Sequence, residues 1–448
     1  MGQVDVYSGQ GDLSGRVDEK GDVQREALVT SSLRAEGADR IREVSREPLP
    51  ESHAPYTDKY FLRSAEVLKT HDMNPWVTAQ IVVRSGPGKV AGVDQALEII
   101  SSYSKFFENG GKAWVRPEGS KYKPGAALLV LEGRIADIIE LETMYLGVIS
   151  AEVTRATDGV SRIDTDEVTE RMRAVVAAKG EGDTRPIIYM GARHWRYSED
   201  RAVAAAAFAG GATESSTDIG AAVLGKKGVG TTPHVLENIF AYYHGRRAAV
   251  VESTKGFARV FGDSCHVVAL IDYDNHEITD SLATARALGT KLFGVRVDTC
   301  GENRAEGALT GPDDPAAPAE VAKLLPSLTD PDAKYWYGNG VTITGVHALR
   351  KALDTAGFAN VSIVLSSGFG DPRKVAAFVR AEKLLGVRLF DTLGVGGVYD
   401  SRSAKMDIVA VGEERDKMVA ISKAGRRAVD RSELIEYLPA PALRKEAV

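Results

Sequence analysis

The sequence predicts an α/β protein, an irregular parallel α/β barrel joined to a mixed α/β N-terminal domain that the C-terminal segment completes. Three observations lead there. From Pro186 onward, short apolar runs alternate with helical segments, as buried parallel strands with crossover helices do. Before residue 150, helix and strand periods are mixed. After Gly397 the chain alternates at period two again.

In chain order, residues 1–50 are polar, charged and without a sustained period, which predicts an N-terminal extension. Residues 51–150 form the mixed domain. Tyr60–Lys69 reads as a helix with Phe61, Leu62, Ala65 and Leu68 on one face, and Trp76–Arg84 as a strand rich in Val, Ile and Thr. Val93–Ser104 is helical, Ala126–Leu131 a strand, and Ile135–Ser150 apolar at helical spacing. Residues 151–397 carry the barrel. Its strand candidates are Pro186–Met190, Phe208–Ala212, Val229–Thr232, His266–Ile271, Leu292–Val297, Val361–Leu365 and Arg388–Phe390. So many units in roughly 210 residues fit a barrel, with an open doubly wound sheet as the structural alternative. The Pro-, Asp- and Gly-rich stretch Thr299–Tyr337 predicts an insertion or a lid on the barrel rim. Residues 398–448, with Lys405–Val411 and Lys417–Ser422, predict an antiparallel unit that packs on the N-terminal domain.

The formal charge of −6 gives no general attraction to nucleic acid, so a nucleic-acid partner is not expected. Cys265 and Cys300 are too few for a four-thiolate zinc site or a disulfide framework. Together with the absence of a signal-like start, they predict a cytoplasmic protein. The longest apolar runs, such as Gly125–Leu131, are too short to span a bilayer.

In parallel barrels, functional side chains gather where strands end. Polar residues fall there repeatedly in this chain: Gly191-Ala192-Arg193-His194, Gly230-Thr231-Thr232-Pro233-His234, Asp272-Tyr273-Asp274, Arg296-Val297-Asp298-Thr299, Ser366-Ser367-Gly368-Phe369-Gly370 and Gly394-Val395-Gly396-Gly397. Gly- and Ser-rich loops let backbone N–H groups approach phosphate oxygens. Arg193 and Arg296 can hold an anion in a forked geometry. Asp298, two residues beyond Arg296, can hold ribose hydroxyls or, through water, Mg²⁺. Each feature has a plainer reading as a turn, a rim ion pair, a structural histidine or a helix cap. Their joint occurrence on successive strand ends points to an anionic sugar phosphate with a second anionic group.

These residues resemble the nicotinate phosphoribosyltransferases, within the wider type II group that includes the quinolinate and nicotinamide enzymes. The resemblance covers roughly residues 55 to 425 and keeps the family's motif order. Thr57-Asp58-Lys59-Tyr60-Phe61 resembles its Thr-Asp-x-Tyr motif, and Met190-Gly191-Ala192-Arg193 its Phe-Gly-x-Arg motif. Residues Gly210 to Thr217 resemble Gly-Gly-x-x-x-Thr-Ser-Asn, and Gly230-Thr231-Thr232-Pro233-His234 resembles Gly-Thr-x-x-His. Arg296-Val297-Asp298-Thr299 resembles Arg-x-Asp-Ser/Thr, while Ser367-Gly368 and Gly394-Val395-Gly396 resemble the two phosphate loops.

The resemblance implies transfer of a phosphoribosyl group from phosphoribosyl pyrophosphate (PRPP) to nicotinate, with Mg²⁺, in NAD salvage. It implies a homodimer or higher homo-oligomer with shared sites. Tyr60, from the partner subunit, would stack on the pyridine ring, with Met190, Arg193, Ser216 and Arg296 around the base. Arg84, Arg193, Asp298, Ser367, Gly368, Gly394, Gly396, Gly397 and Lys405 would hold PRPP and its phosphates. Arg193, His234, Arg296 and Asp298 would be the catalytic set. His234 matches the histidine phosphorylated in members that couple turnover to ATP, so ATP is a possible second cofactor.

Four departures bear on the base. Met190 stands where an aromatic residue is common, Glu214 where the family has Gly, and Thr217 where it has Asn. A lysine expected near Ala420 is missing, with Lys423 the nearest substitute. A carboxylate at Glu214 would repel nicotinate unless paired or turned away. Quinolinate or another pyridine-like acid is therefore an alternative substrate. A sugar-phosphate barrel lyase is a further alternative, but no Schiff-base lysine stands at these strand ends.

Overall fold

A computed structural model describes residues 48–439, so all but the last three residues of the predicted N-terminal extension lie outside the described residues. Two six-stranded sheets organise the chain from Ser52 onward. The strands are β1 (Trp76–Val83), β2 (Gly88–Lys89), β3 (Lys112–Val115), β4 (Lys121–Tyr122), β5 (Ala127–Arg134), β6 (Ile187–Tyr189) and β7 (Glu214–Ser215). They continue with β8 (Val267–Leu270), β9 (Leu292–Val297), β10 (Ser362–Leu365), β11 (Thr392–Val395), β12 (Ala404–Gly412), β13 (Val419–Ala420) and β14 (Ile435–Tyr437).

The first sheet is antiparallel, in the order β13-β12-β1-β5-β3-β14. Val77, Ala79, Ile81 and Val83 of β1 are buried, and so are Thr78, Gln80 and Val82 on its other face. Pairing on one side with β12 and on the other with β5 places β1 inside the sheet. C-terminal strands therefore complete an N-terminal sheet, as the period-two texture predicted. The helix Glu142–Asp158 is buried from Glu142 to Thr154. Its Gly147 lies so close to the Trp195 carbonyl that a Cβ would sit 2.2 Å from the oxygen, so only glycine permits this contact.

The second sheet is parallel throughout, in the order β7-β6-β11-β10-β9-β8. It is a half-barrel, because among the described residues no strand pairs β7 with β8. The segment expected as a strand at Val229–Thr232 is irregular and spans that gap instead. Val229 N donates to Ser215 O on the β7 side (2.9 Å). Thr232 Oγ1 donates to Val268 O (3.4 Å) and accepts from Leu270 N (3.2 Å) on the β8 side. Edge groups of both strands are thereby satisfied without a ladder.

Two other strand positions shift. Phe208–Ala212 is not a strand: the alanine-rich helix Asp200–Ala209 runs through its start, and β7 follows it. Arg388–Phe390 precedes β11 rather than forming it. The stretch 299–337 holds two short helices, Ala319–Ala322 and Ala333–Trp336. Among the described residues no helix is long and apolar enough to cross a membrane. Cys265 and Cys300 are free thiols.

Candidate active site

A cavity of about 730 Å³ opens where the C-terminal ends of the parallel strands face the antiparallel sheet. Tyr60, Arg84, Met190, Arg193, His234, Arg296, Asp298, Ser367, Gly368, Gly394, Gly396, Gly397 and Lys405 all line it. Positions scattered over more than three hundred residues of sequence thus meet in one place. Ser216 is the exception: it does not line the cavity, its Oγ is buried without a hydrogen-bond partner, and its backbone carbonyl accepts from Lys59 N (2.7 Å). Tyr60 of this chain lines its own cavity. Its hydroxyl donates to Asp58 Oδ2 (3.1 Å), and the Arg193 guanidinium lies 5.8 Å from its ring centroid.

The two glycine-rich loops are locked together. Ser367 and Gly368 both adopt left-handed backbone (φ 67° and 86°). Such strain in a non-glycine residue persists only when its surroundings impose it, and it collects at ligand sites. Lys374 Nζ donates to Ser367 O (3.0 Å), and the helix Pro372–Leu385 begins directly behind the loop, so its N-terminal end favours an anion. A Cβ on Gly370 would sit 2.4 Å from the Gly397 carbonyl oxygen, and one on Gly394 would sit 2.8 Å from Met190 Sδ. Met190 therefore packs onto bare backbone, which accounts for how a thioether fills this wall.

Cations dominate the opposite side. Lys405 is on β12, across from Val82, and Arg84 directly follows β1. Lys405 Nζ lies 3.2 Å from His194 Nε2, and His194 Nδ1 lies 3.2 Å from Gly396 O. An ammonium only donates, so Nε2 accepts and the ring proton sits on Nδ1, donated to the Gly396 carbonyl. Burial, helped by Lys405 and Arg193, holds His194 well below its ordinary value, so the ring is neutral. Burial and neighbouring Arg193 also push the Lys405 ammonium down to about 7.

Arg193 Nε and Arg296 Nε are buried without hydrogen-bond partners. Their carboxylate neighbours stand off, Glu142 at 3.6 Å from Arg193 and Asp298 at 4.0 Å from Arg296. Two half-paired guanidiniums with buried Nε atoms in one cavity are donors that a bound anion would satisfy. Ser366 Oγ donates to Asp298 Oδ1 (2.7 Å) and fixes that carboxylate. His234 Nε2 lies 3.0 Å from Asp272 Oδ1, and Lys423 pairs with the other Asp272 oxygen. Among the described residues no group of three or more His, Cys, Asp or Glu side chains is gathered to ligate a metal directly.

The carboxylate that matters is not the one the sequence singled out. Glu214 does not line the cavity, and it pairs with Lys226 Nζ at 2.9 Å. Thr217 caps a short helix, accepting from Gly220 N (3.1 Å) and donating to Asp200 Oδ2 (2.5 Å). Glu142, which the motifs do not include, does line the cavity. Burial pushes its carboxyl up to about 8 against the pull of Arg193. The signal for it was a glutamate next to Leu141, at the start of a helix that is mostly apolar through Ala151. His194, Glu302, Asp407 and Arg426 also line the cavity without having been chosen, and so does Lys423, the substitute lysine.

Residues 58–151 match the family model of the quinolinate phosphoribosyl transferase N-terminal domain. A nicotinate phosphoribosyltransferase of Mycobacterium tuberculosis, pncB1, is 26% identical over 285 residues, which cover 57% of this chain and 59% of that protein. The match thus spans less than two thirds of that relative. The solved nicotinate phosphoribosyltransferase of Vibrio cholerae shares the fold (TM-score 0.58, 12% identity), with 84% of this chain and 89% of that chain covered. The one from Porphyromonas gingivalis does so too (TM-score 0.52, 14% identity, 83% and 92% covered).

Proposed function

We propose that this chain, which belongs to the type II phosphoribosyltransferase family, transfers the phosphoribosyl group of PRPP to nicotinate, giving nicotinate mononucleotide and pyrophosphate in NAD salvage. One observation carries the reading: a single cavity joins two interlocked glycine loops to two guanidiniums whose buried Nε atoms have no hydrogen-bond partner. The loops suit the 5′-phosphate, and the guanidiniums suit a leaving diphosphate and a ring carboxylate.

The chemistry is displacement at the anomeric carbon. The pyridine nitrogen forms the new C–N bond with its own lone pair while the C–O bond to pyrophosphate breaks. No proton has to be removed, so a general base is not needed. The site's task is to align two anions and to stabilise charge on the leaving group. Arg84, Arg193, Arg296 and Lys405 serve that purpose, while Tyr60 and Met190 wall the flat ring. Below pH 8 Glu142 is neutral, so it does not repel the nicotinate carboxylate and can donate a hydrogen bond to it. Asp298 would hold Mg²⁺ through water, with the remaining oxygens coming from PRPP; the ion would add positive charge near the leaving group.

His234 is the candidate for phosphorylation by ATP. Asp272 engages its Nε2 and leaves Nδ1 as the ring nitrogen free of that bond. Quinolinate is the second reading, favoured by the family model that residues 58–151 match. The test is pyrophosphate release from PRPP and Mg²⁺ with nicotinate, quinolinate or nicotinamide, each with and without ATP. Release with nicotinate is expected, increased by ATP. Release with quinolinate alone would move the assignment to that base, and silence with all three would overturn the reading.

A further inference from the structure

Four charged side chains at the cavity wall form an alternating set, of which the proposed reaction has used only Arg84. Arg84 Nη1 donates to both carboxylate oxygens of Glu302, at 3.0 and 3.3 Å. Its Nη2 is 4.0 Å from Asp407 Oδ2. Arg426 Nε is 3.2 Å from Asp407 Oδ1, and its Nη1 is 3.9 Å from Glu302 Oε2. All four residues line the cavity.

The two carboxylates are not equivalent. Asp407 is on β12, two residues from Lys405 and therefore on the same face, and its side chain is only 16% exposed. It holds Arg426, 13% exposed, in a mostly buried pair. Glu302 sits on the turn after β9, and its side chain is 57% exposed. Its neighbour Asn303 pins that turn, donating from Nδ2 to Ala424 O and to Asn275 Oδ1, both at 3.0 Å. The backbone is anchored while the glutamate side chain alone reaches the arginines. Exposed pairs of this kind are weak, and a diphosphate offers the same forked acceptor with more charge.

We propose that Arg426 and Arg84 form a diphosphate clamp, and that Glu302 is its ligand-free counter-ion, displaced by side-chain rotation when the diphosphate group binds. The clamp rests on the phosphoribosyl-transfer reading and adds Arg426, from the C-terminal segment, to the groups that bind the leaving pyrophosphate. Glu302 would then set the threshold for entry: it keeps two cations organised but must be outcompeted.

The test is calorimetric titration of the full chain, with Mg²⁺ present, by inorganic pyrophosphate and by PRPP, with inorganic phosphate as control. The proteins are the wild type, Glu302→Gln, Arg426→Ala and Arg426→Lys. Glu302→Gln removes the competing charge at an exposed position and is expected to tighten pyrophosphate binding by about threefold to tenfold, with phosphate binding little changed. Arg426→Ala is expected to weaken pyrophosphate binding by about tenfold or more, and Arg426→Lys by less. Unchanged or weakened binding in Glu302→Gln, or wild-type binding in Arg426→Ala, overturns the clamp and leaves the phosphoribosyltransferase reading standing. A wild type that binds neither pyrophosphate nor PRPP overturns both.

Discussion

Asp272 Oδ1 lies 3.0 Å from His234 Nε2, while the carboxylate's other oxygen pairs with Lys423 of the C-terminal segment. Burial by itself would raise this carboxyl, but Lys423 and His234 reverse the effect and hold it below the usual carboxylate range. Asp272 is fully buried and the Lys423 side chain is only 6% exposed. Removing one partner of such a pair leaves an uncompensated charge in the interior. Lys423→Ala should therefore lose about 3–5 kcal/mol at neutral pH, measured by chemical denaturation. The sign follows from linkage. A depressed carboxyl contributes stability above its unfolded value and loses it as pH falls through the folded one. The gap between wild type and variant should therefore narrow in acid.

Glu142 predicts the pH dependence of base binding. With its carboxyl pushed up to about 8 by burial, it is neutral below that pH and negative above it. The KM for nicotinate should rise as pH passes 8, because a new charge faces the ring carboxylate. Glu142→Gln should flatten that limb. Equal profiles in the two proteins would take Glu142 out of the base site.

Gly370 predicts how closely the loops must meet. A Cβ there would stand 2.4 Å from the Gly397 carbonyl oxygen, and that atom belongs to backbone, which cannot rotate away. Gly370→Ala should push the loops apart and raise the KM for PRPP by about tenfold or more, given how steeply misplacement costs. The KM for nicotinate should change far less. Steady-state kinetics with each substrate varied would separate the two.

Glu214 supplies the matching control. Its ion pair with Lys226 is partly exposed, and it lies outside the cavity lining. Glu214→Gln should leave the KM for nicotinate unchanged and shift stability by less than about 1 kcal/mol. A changed KM would return this residue to the pocket wall.

The sequence by itself determined the class of the fold and which polar residues stand at the strand ends. Hydrophobic period marks strands buried on both faces, such as β8, β9 and β10, and phosphate loops need glycine and serine at the next positions in the chain. These are local properties, so they are legible one segment at a time. They are also why Arg193, Arg296, Asp298 and Gly368 could be chosen before any packing was known. Only the tertiary structure decided what depends on distance across the chain. It replaced the strand expected at Val229–Thr232 with an irregular bridge between two edge strands. It turned Glu214 toward Lys226 and set Glu142 beside Arg193. It brought Lys423 and Arg426 from the end of the chain to carboxylates at Asp272 and Asp407. A carboxylate looks the same in sequence whether a cation waits for it or not. Its partner, its burial and hence its charge are set by residues that here lie from 12 to 151 positions away.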